Sequence, residues 1–233
     1  MKHIAYTLLF FIFLVACQKD EAFNISEGKG TLILENISVQ TENINAVSTR
    51  AVQNDLYVEV WQNGQLMSGQ QYEPGKVPAK LDLPAGSYQL KTYNQAYKEM
   101  PNWLDTEIGG AAFYAEKDFK IEVGEINHLN VEVPMVNIGV SLKLPEGFSD
   151  RFKTYLFTVQ SGDRSVKVIN GQTAYLQVSD KIIYTLSVEN NDGENKTDSR
   201  LIETPEAGTV YEISYAYETK GMIISVNFTS QAE

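Results

Sequence analysis

Leu56-Tyr57-Val58-Glu59-Val60-Trp61-Gln62-Asn63-Gly64 (residues 56–64) carries the pattern that recurs along the whole chain. Leu56, Val58 and Val60 fall on one side of an extended backbone and Tyr57, Glu59 and Trp61 on the other, the period of a strand with one buried face. Asn63-Gly64 then supplies the positive φ angles of a tight type I′ hairpin. Working outward, Thr31–Leu34, Tyr88–Tyr93, Leu129–Val133, Val140–Leu144, Ile182–Val188 and Ile223–Phe228 are further β-rich, mostly alternating runs. Asn170-Gly171 and Asp192-Gly193 read as turns of the same hairpin type. No segment sustains amphipathic helical periodicity over three turns. Phe148–Phe152 reads as one short helix, capped by Ser149 or Asp150. The fold class is all-β.

Two echoes suggest an internal duplication. Pro84-Ala85-Gly86-Ser87-Tyr88 returns in outline as Pro205-Glu206-Ala207-Gly208-Thr209-Val210-Tyr211, and Gly30-Thr31-Leu32-Ile33-Leu34 is matched by Gly139-Val140-Ser141-Leu142-Lys143-Leu144. Tandem β-sandwiches over residues 30–134 and 135–233 follow, divided at Pro134-Met135 where proline should interrupt a ladder. Convergent β-patterning is the competing explanation of the echo.

The N-terminal region is read as a targeting segment. Met1-Lys2-His3 precedes an apolar run from Ile4 to Ala16, the length of an export signal and too short for a membrane span. The run ends at Cys17, the one cysteine of the chain, in an arrangement similar to a lipoprotein lipobox. Residues 1–16 are therefore expected to be removed and Cys17 to carry a diacylglyceryl, palmitate-type anchor. Residues 17–29 have the composition of a tether. Within it, Lys19, Asp20 and Glu21 resemble the export signal that takes Bacteroidetes lipoproteins to the outer face of the outer membrane, a solvated charged spacer being the alternative.

Composition limits the partners. Removing Lys2 from 19 basic residues leaves 18 against 30 acidic ones, a charge of −12 for the mature chain, which opposes nucleic acid and anionic lipid headgroups. Hydrophobic residues at 43% and aromatics at 11% suffice for a core, and with Cys17 acylated no disulfide can support it.

Lipobox, acidic tether, the Gly30-x-Leu32-x-Leu34 strand, Leu83-Pro84-Ala85-Gly86-Ser87-Tyr88 and Phe119-x-Ile121-x-Val123-x2-Ile126-x4-Val131-x-Val133 together resemble a Bacteroidetes family of outer-membrane lipoproteins of unknown function, related in design to fimbrillins. The resemblance implies tandem Greek-key, transthyretin-like β-sandwiches at the cell surface, an adhesion or pilus role, and no catalytic site. One departure is Pro134-Met135, where many relatives carry a cysteine.

Little in the chain points to catalysis or cofactors. With His3 in the signal, His128 is the remaining histidine, and its alternating context suits an exposed strand residue. No zinc-type spacing and no phosphate-binding glycine motif occurs, so neither metal nor cofactor is expected. Asn190–Asn195 lacks the ligand spacing of a calcium loop and reads as a hairpin turn. The long interval from Asn94 to Ala112 breaks the strand rhythm, and its Tyr97 and Trp103 are candidate ligand contacts, or else cover a sandwich end. Arg50, in a polar connection after the first strand, is a candidate processing site. Cleavage there would free that strand for exchange with a neighbouring fimbrillin-like subunit, and an uncut loop is the alternative. The function expected is a surface-anchored structural, adhesion or fimbria-associated lipoprotein, not an enzyme. The alternative is a glycan-binding lipoprotein of a nutrient-uptake system. Partners expected are the membrane through the lipid, and other subunits or host or glycan ligands.

Overall fold

The structure, a computed structural model, describes residues 28–39 and 55–217 together with the backbone of 224–229. The first half runs β1 (Lys29–Val39), β2 (Tyr57–Gln62), β3 (Gln65–Tyr72), β4 (Lys80–Pro84), β5 (Gly86–Tyr93), a one-turn helix α1 (Gln95–Glu99) extended by a 3-10 turn, β6 (Tyr114–Ile121) and β7 (Ile126–Val133). The second half runs β8 (Ile138–Lys143), α2 (Phe148–Arg151), β9 (Phe152–Ser161), β10 (Arg164–Lys167), β11 (Thr173–Leu176), β12 (Ile182–Asn190), β13 (Asn195–Ile202), β14 (Val210–Tyr217) and β15 (Ile224–Thr229).

These strands build two tandem β-sandwiches, as the all-β reading expects. In the first, β4-β1-β7 faces β3-β2-β5-β6; in the second, β11-β8-β14-β15 faces β10-β9-β12-β13. Adding seven to each strand number of the first sandwich reproduces the order of the second, with β15 as an extra edge. In both, the opening strand lies antiparallel to one neighbour and parallel to the last strand of its set: β1 between β4 and β7, β8 between β11 and β14.

This correspondence separates the two sequence echoes. Gly30–Leu34 and Gly139–Leu144 do occupy equivalent strands, β1 and β8. The Ala-Gly-x-Tyr echo does not: Tyr88 lies on β5, whose counterpart is β12, whereas Tyr211 lies on β14, the counterpart of β7. A turn entering a strand has the same local chemistry wherever the strand sits.

Local features explain the strand lengths. In β1 the register against β7 slips between Leu34 and Asn36, so Glu35 is an extra residue and the inward phase changes. That bulge lets Leu32, Leu34 and Ile37 all reach the core despite their uneven spacing. Asn63 and Gly64 both adopt positive φ, 52° and 75°, and close β2 onto β3 as the two-residue hairpin expected. The other two dipeptides do not form type I′ turns, because only their glycines take positive φ. The β12–β13 connection is organised by Asn190, whose Oδ1 accepts from Asp192 N (3.0 Å) and Glu194 N (2.8 Å). The short helix is also corrected at its start. Its N-cap is Gly147, at φ 71°, and Ser149 and Asp150 lie inside the turn.

Each sandwich has its own core. Leu32, Val58, Val60, Leu90 and Val133 are fully buried in the first, and Ile138, Val140, Ile182, Tyr184 and Ile213 in the second. Tyr175 of β11 crosses this division and packs into the first core.

Candidate functional site

Two places combine polar chemistry with fixed geometry: the interval after β5, and the outward face of the sheet β3-β2-β5-β6.

The interval after β5 joins the halves. Asn94 caps α1 by accepting from Tyr97 N at 3.0 Å, and the same oxygen accepts from Phe113 N at 3.0 Å while its amide donates to Ala111 O at 2.7 Å. From the second half, the fully buried Asn137 accepts from Ala112 N and donates to Gly110 O, both at 2.9 Å. Its backbone oxygen also accepts from Gly208 N at 2.9 Å. Two asparagine side chains thus satisfy backbone groups of a buried segment that no ladder fully serves. Next to them, Arg164 donates to Tyr175 O (2.7 Å), to Leu104 O (3.3 Å) and to Glu107 O, while its guanidinium lies 5.4 Å from the Trp103 ring centroid. Tyr175 N donates to Ile108 O at 2.6 Å. Gly109, at φ +69°, sits under Trp103, and a Cβ there would come within 2.7 Å of the indole. Trp103 is therefore half-buried between the first core and Arg164.

The outward sheet face is read from register. Tyr57, Tyr93 and Tyr114 stand side by side on β2, β5 and β6; the next row is Glu59, Lys91 and Glu116; the next is Trp61, Gln89 and Asp118. Tyr97 of α1 stacks on Tyr114 with centroids 4.4 Å apart, Tyr57 stacks on Tyr93 at 5.3 Å, and Tyr57 Oη donates to Gln95 at 2.8 Å. Helix α1 thus covers the tyrosine row, which places Tyr97 in a packed aromatic stack.

Glu59 is the unusual residue of this face. The residue is 7% exposed, and its carboxylate accepts from Trp61 Nε1 (2.8 Å), Gln71 Nε2 (2.9 Å) and Tyr93 Oη (2.6 Å). Burial, and then the bond to Glu59, push the Tyr93 hydroxyl well above its ordinary range. Tyr114 is raised in the same way by burial and by its bond to Glu116. Lys91 bridges the rows, 3.1 Å from Glu116 and 4.3 Å from the Trp61 ring centroid. Beyond Trp61 the face opens into a cleft of about 740 Å³ at the β2–β3 hairpin.

Of the residues singled out in the sequence, Cys17, Lys19, Asp20, Glu21 and Arg50 lie outside the described residues. The structure does not bring Tyr97 and Trp103 together as one surface: Tyr97 faces the tyrosine row and Trp103 the junction. His128 is exposed on β7 with Nδ1 2.6 Å from Glu35 Oε1. Glu59, Asn137 and Arg164 escaped sequence reasoning. Val136-Asn137-Ile138, a polar residue inside an apolar run, was the one available signal. Among the described residues, no group of three His, Cys, Asp or Glu side chains could hold a metal ion, and no helix is long and apolar enough to cross a membrane.

Together these features define a two-sandwich β protein with a polar junction and an aromatic sheet face. The chain belongs to the family described as a domain of unknown function, DUF4493, whose model matches residues 28–232. No curated protein matches the chain. Among solved structures it is similar to a candidate cell adhesion protein of Bacteroides eggerthii, at 12% identity and TM-score 0.48, covering 87% of this chain and 94% of that one. It is also similar to a protein of Bacteroides thetaiotaomicron described as a candidate polysaccharide-binding protein, at 8% identity and TM-score 0.46, covering 88% and 96%. A fimbrilin of Porphyromonas gingivalis is similar at 11% identity and TM-score 0.40, covering 80% and 89%.

Proposed function

We propose that the chain is a lipid-anchored protein of the outer face of the outer membrane that bears load in adhesion or in a fimbria-type assembly. The observation that carries this reading is the parallel pairing of β1 with β7, from Thr31↔Ile126 to Val39↔Val133. A force entering through the tether at Lys29 and leaving at Val133 toward the second half pulls these strands past each other along their length. The backbone bonds between them are then loaded together rather than one at a time. The same parallel pairing recurs between β8 and β14, from Gly139↔Val210 to Lys143↔Ser214, with β15 returning antiparallel along the outer side of β14. On this reading residues 30–134 and 135–233 are two mechanical units in series, anchored through Cys17 and exported by Lys19, Asp20 and Glu21.

Arg50 sets the mode of use. An uncut chain keeps β1 continuous with its sandwich and serves as an anchor. Cleavage after Arg50 leaves β1 held by hydrogen bonds and by Leu32, Leu34 and Ile37, so that a neighbouring subunit's strand can replace it, as in a shaft. Mass spectrometry of protein from cells separates the two by whether the N-terminal lipopeptide is joined through Arg50.

The anchoring is tested by a Cys17→Ala variant, with fractionation and protease treatment of intact cells. The wild-type chain fractionates with membranes and is digested from outside, and the variant does neither. A variant that still fractionates with membranes contradicts the proposal.

A further inference from the structure

We propose that the cleft beside Trp61 is a binding site for a neutral oligosaccharide. This deepens the adhesive reading above by naming a ligand class, and it stands on its own geometry.

Trp61 is a large, half-buried aromatic on the outward face of a sheet, where it adds nothing to either core. It is nevertheless held firmly. Its indole N–H donates to the buried carboxylate of Glu59, and the Lys91 ammonium lies 4.3 Å from its ring centroid. A carboxylate buried on the outer face of a sheet is a costly device and needs compensating donors. Here its donors are Trp61, Gln71 and Tyr93, so one effect of Glu59 is to fix the orientation of the indole.

Around that aromatic the cleft presents Asn63, Ser87, Gln89, Asp118 and Lys120. Register explains why they converge. Trp61, Gln89 and Asp118 lie in one cross-strand row and Ser87 and Lys120 in the next, while the positive-φ hairpin brings Asn63 over the same end. Gln89 Nε2 donates to Asp118 Oδ1 at 3.2 Å, leaving the Gln89 amide oxygen and the second Asp118 oxygen free to accept from a ligand. Amides, a hydroxyl, one carboxylate and one ammonium beside an indole complement a ligand with an apolar C–H face and a rim of hydroxyls that both donate and accept. A pyranose has that surface.

Charge selects within the class. Lys120 is paired with Glu122 at 2.7 Å, so the Asp118 carboxylate leaves the cleft net negative, and the chain carries −11 overall; polyanionic glycans are repelled and neutral ones are not. The volume, about 740 Å³, lies inside the roughly 300–1,000 Å³ of small-ligand sites, and the open form suits a chain that extends beyond one or two sugar units.

The chain has only two tryptophans, which makes the test direct. In a Trp103→Phe background of the full chain, indole fluorescence reports Trp61 alone. The probes are neutral gluco-, manno- and N-acetylglucosamine hexasaccharides, with an oligogalacturonate as the acidic control. At least one neutral probe is expected to shift the emission saturably below about 10 mM, a range that includes weak shallow sites. Gln89→Ala and Asp118→Ala, exposed or half-exposed changes that leave the Glu59 bonds intact, are expected to weaken that binding roughly tenfold or more. No saturable shift with any neutral probe, or binding that both substitutions leave unchanged, overturns the site. The readout is made in solution, so its failure leaves the anchoring and load-bearing proposals to their own tests.

Discussion

Trp103 illustrates how a side chain's meaning depends on what lies beneath it. In the sequence it is an aromatic in a long loop; in the fold it covers Gly109, contacts the first core and carries Arg164 against its ring. Trp103→Ala is therefore expected to lower stability by about 2–4 kcal/mol, somewhat less than the roughly 3–5 kcal/mol of a fully buried aromatic because the residue is only half-buried. Chemical denaturation measures it, and a midpoint equal to wild type would assign Trp103 to the surface. Titration makes a second prediction at this scale. Burial pushes Tyr184 up to about 12 and raises Tyr93, Tyr114 and Tyr215 above their ordinary range. A raised folded-state pKa means that the folded chain binds more protons than the unfolded one once pH exceeds about 10. The stabilisation is thus complete below about pH 10 and is lost as pH climbs toward the folded values. Urea midpoints should be flat from pH 8 to 9.5 and fall above 10, and a midpoint that rises there contradicts the assignment. Tyr215 Oη is buried without a hydrogen-bond partner among the described residues, so Tyr215→Phe should leave neutral stability unchanged or higher and remove part of the alkaline loss.

Single elements show what a sequence pattern holds and what it lacks. The alternation Leu56, Val58, Val60 specifies a strand and its inward face, and Asn63-Gly64 specifies its partner, because a two-residue turn leaves the next strand nowhere else to go. Pairing of β1 with β7 was illegible, since it joins residues about a hundred positions apart and period two names no partner. The bulge at Glu35 was hidden for a related reason: it breaks the alternation that reveals a strand. Helix α1 is a single turn held by Asn94 and by tyrosine stacking, too short to leave a period. The candidate site was legible in its aromatic residue types and not in its location. The burial of Glu59 depends on three donors that only the sheet assembles. Because β1 is central to its sheet, Leu32→Ala should cost about 2–5 kcal/mol, as a cavity in a fully buried position does. A loss below about 1 kcal/mol by thermal denaturation would show that β1 contributes little to the first core.

The whole molecule repeats one plan, seven strands in the same order with the first and last parallel, and joins the copies through Asn137 and Arg164. A surface protein meets force along the line from its anchor to whatever it holds, and on the proposed reading that line crosses the β1–β7 pair lengthwise. The most direct test is single-molecule extension of the chain between its N- and C-terminal ends. The account predicts two discrete unfolding events, one per sandwich. Introducing Ser38→Cys with Glu132→Cys, residues directly in register on β1 and β7, should abolish the event of the first sandwich under oxidising conditions and restore it with reductant. Gradual extension without discrete events, or a first event indifferent to that cross-link, would contradict a load path through β1 and β7.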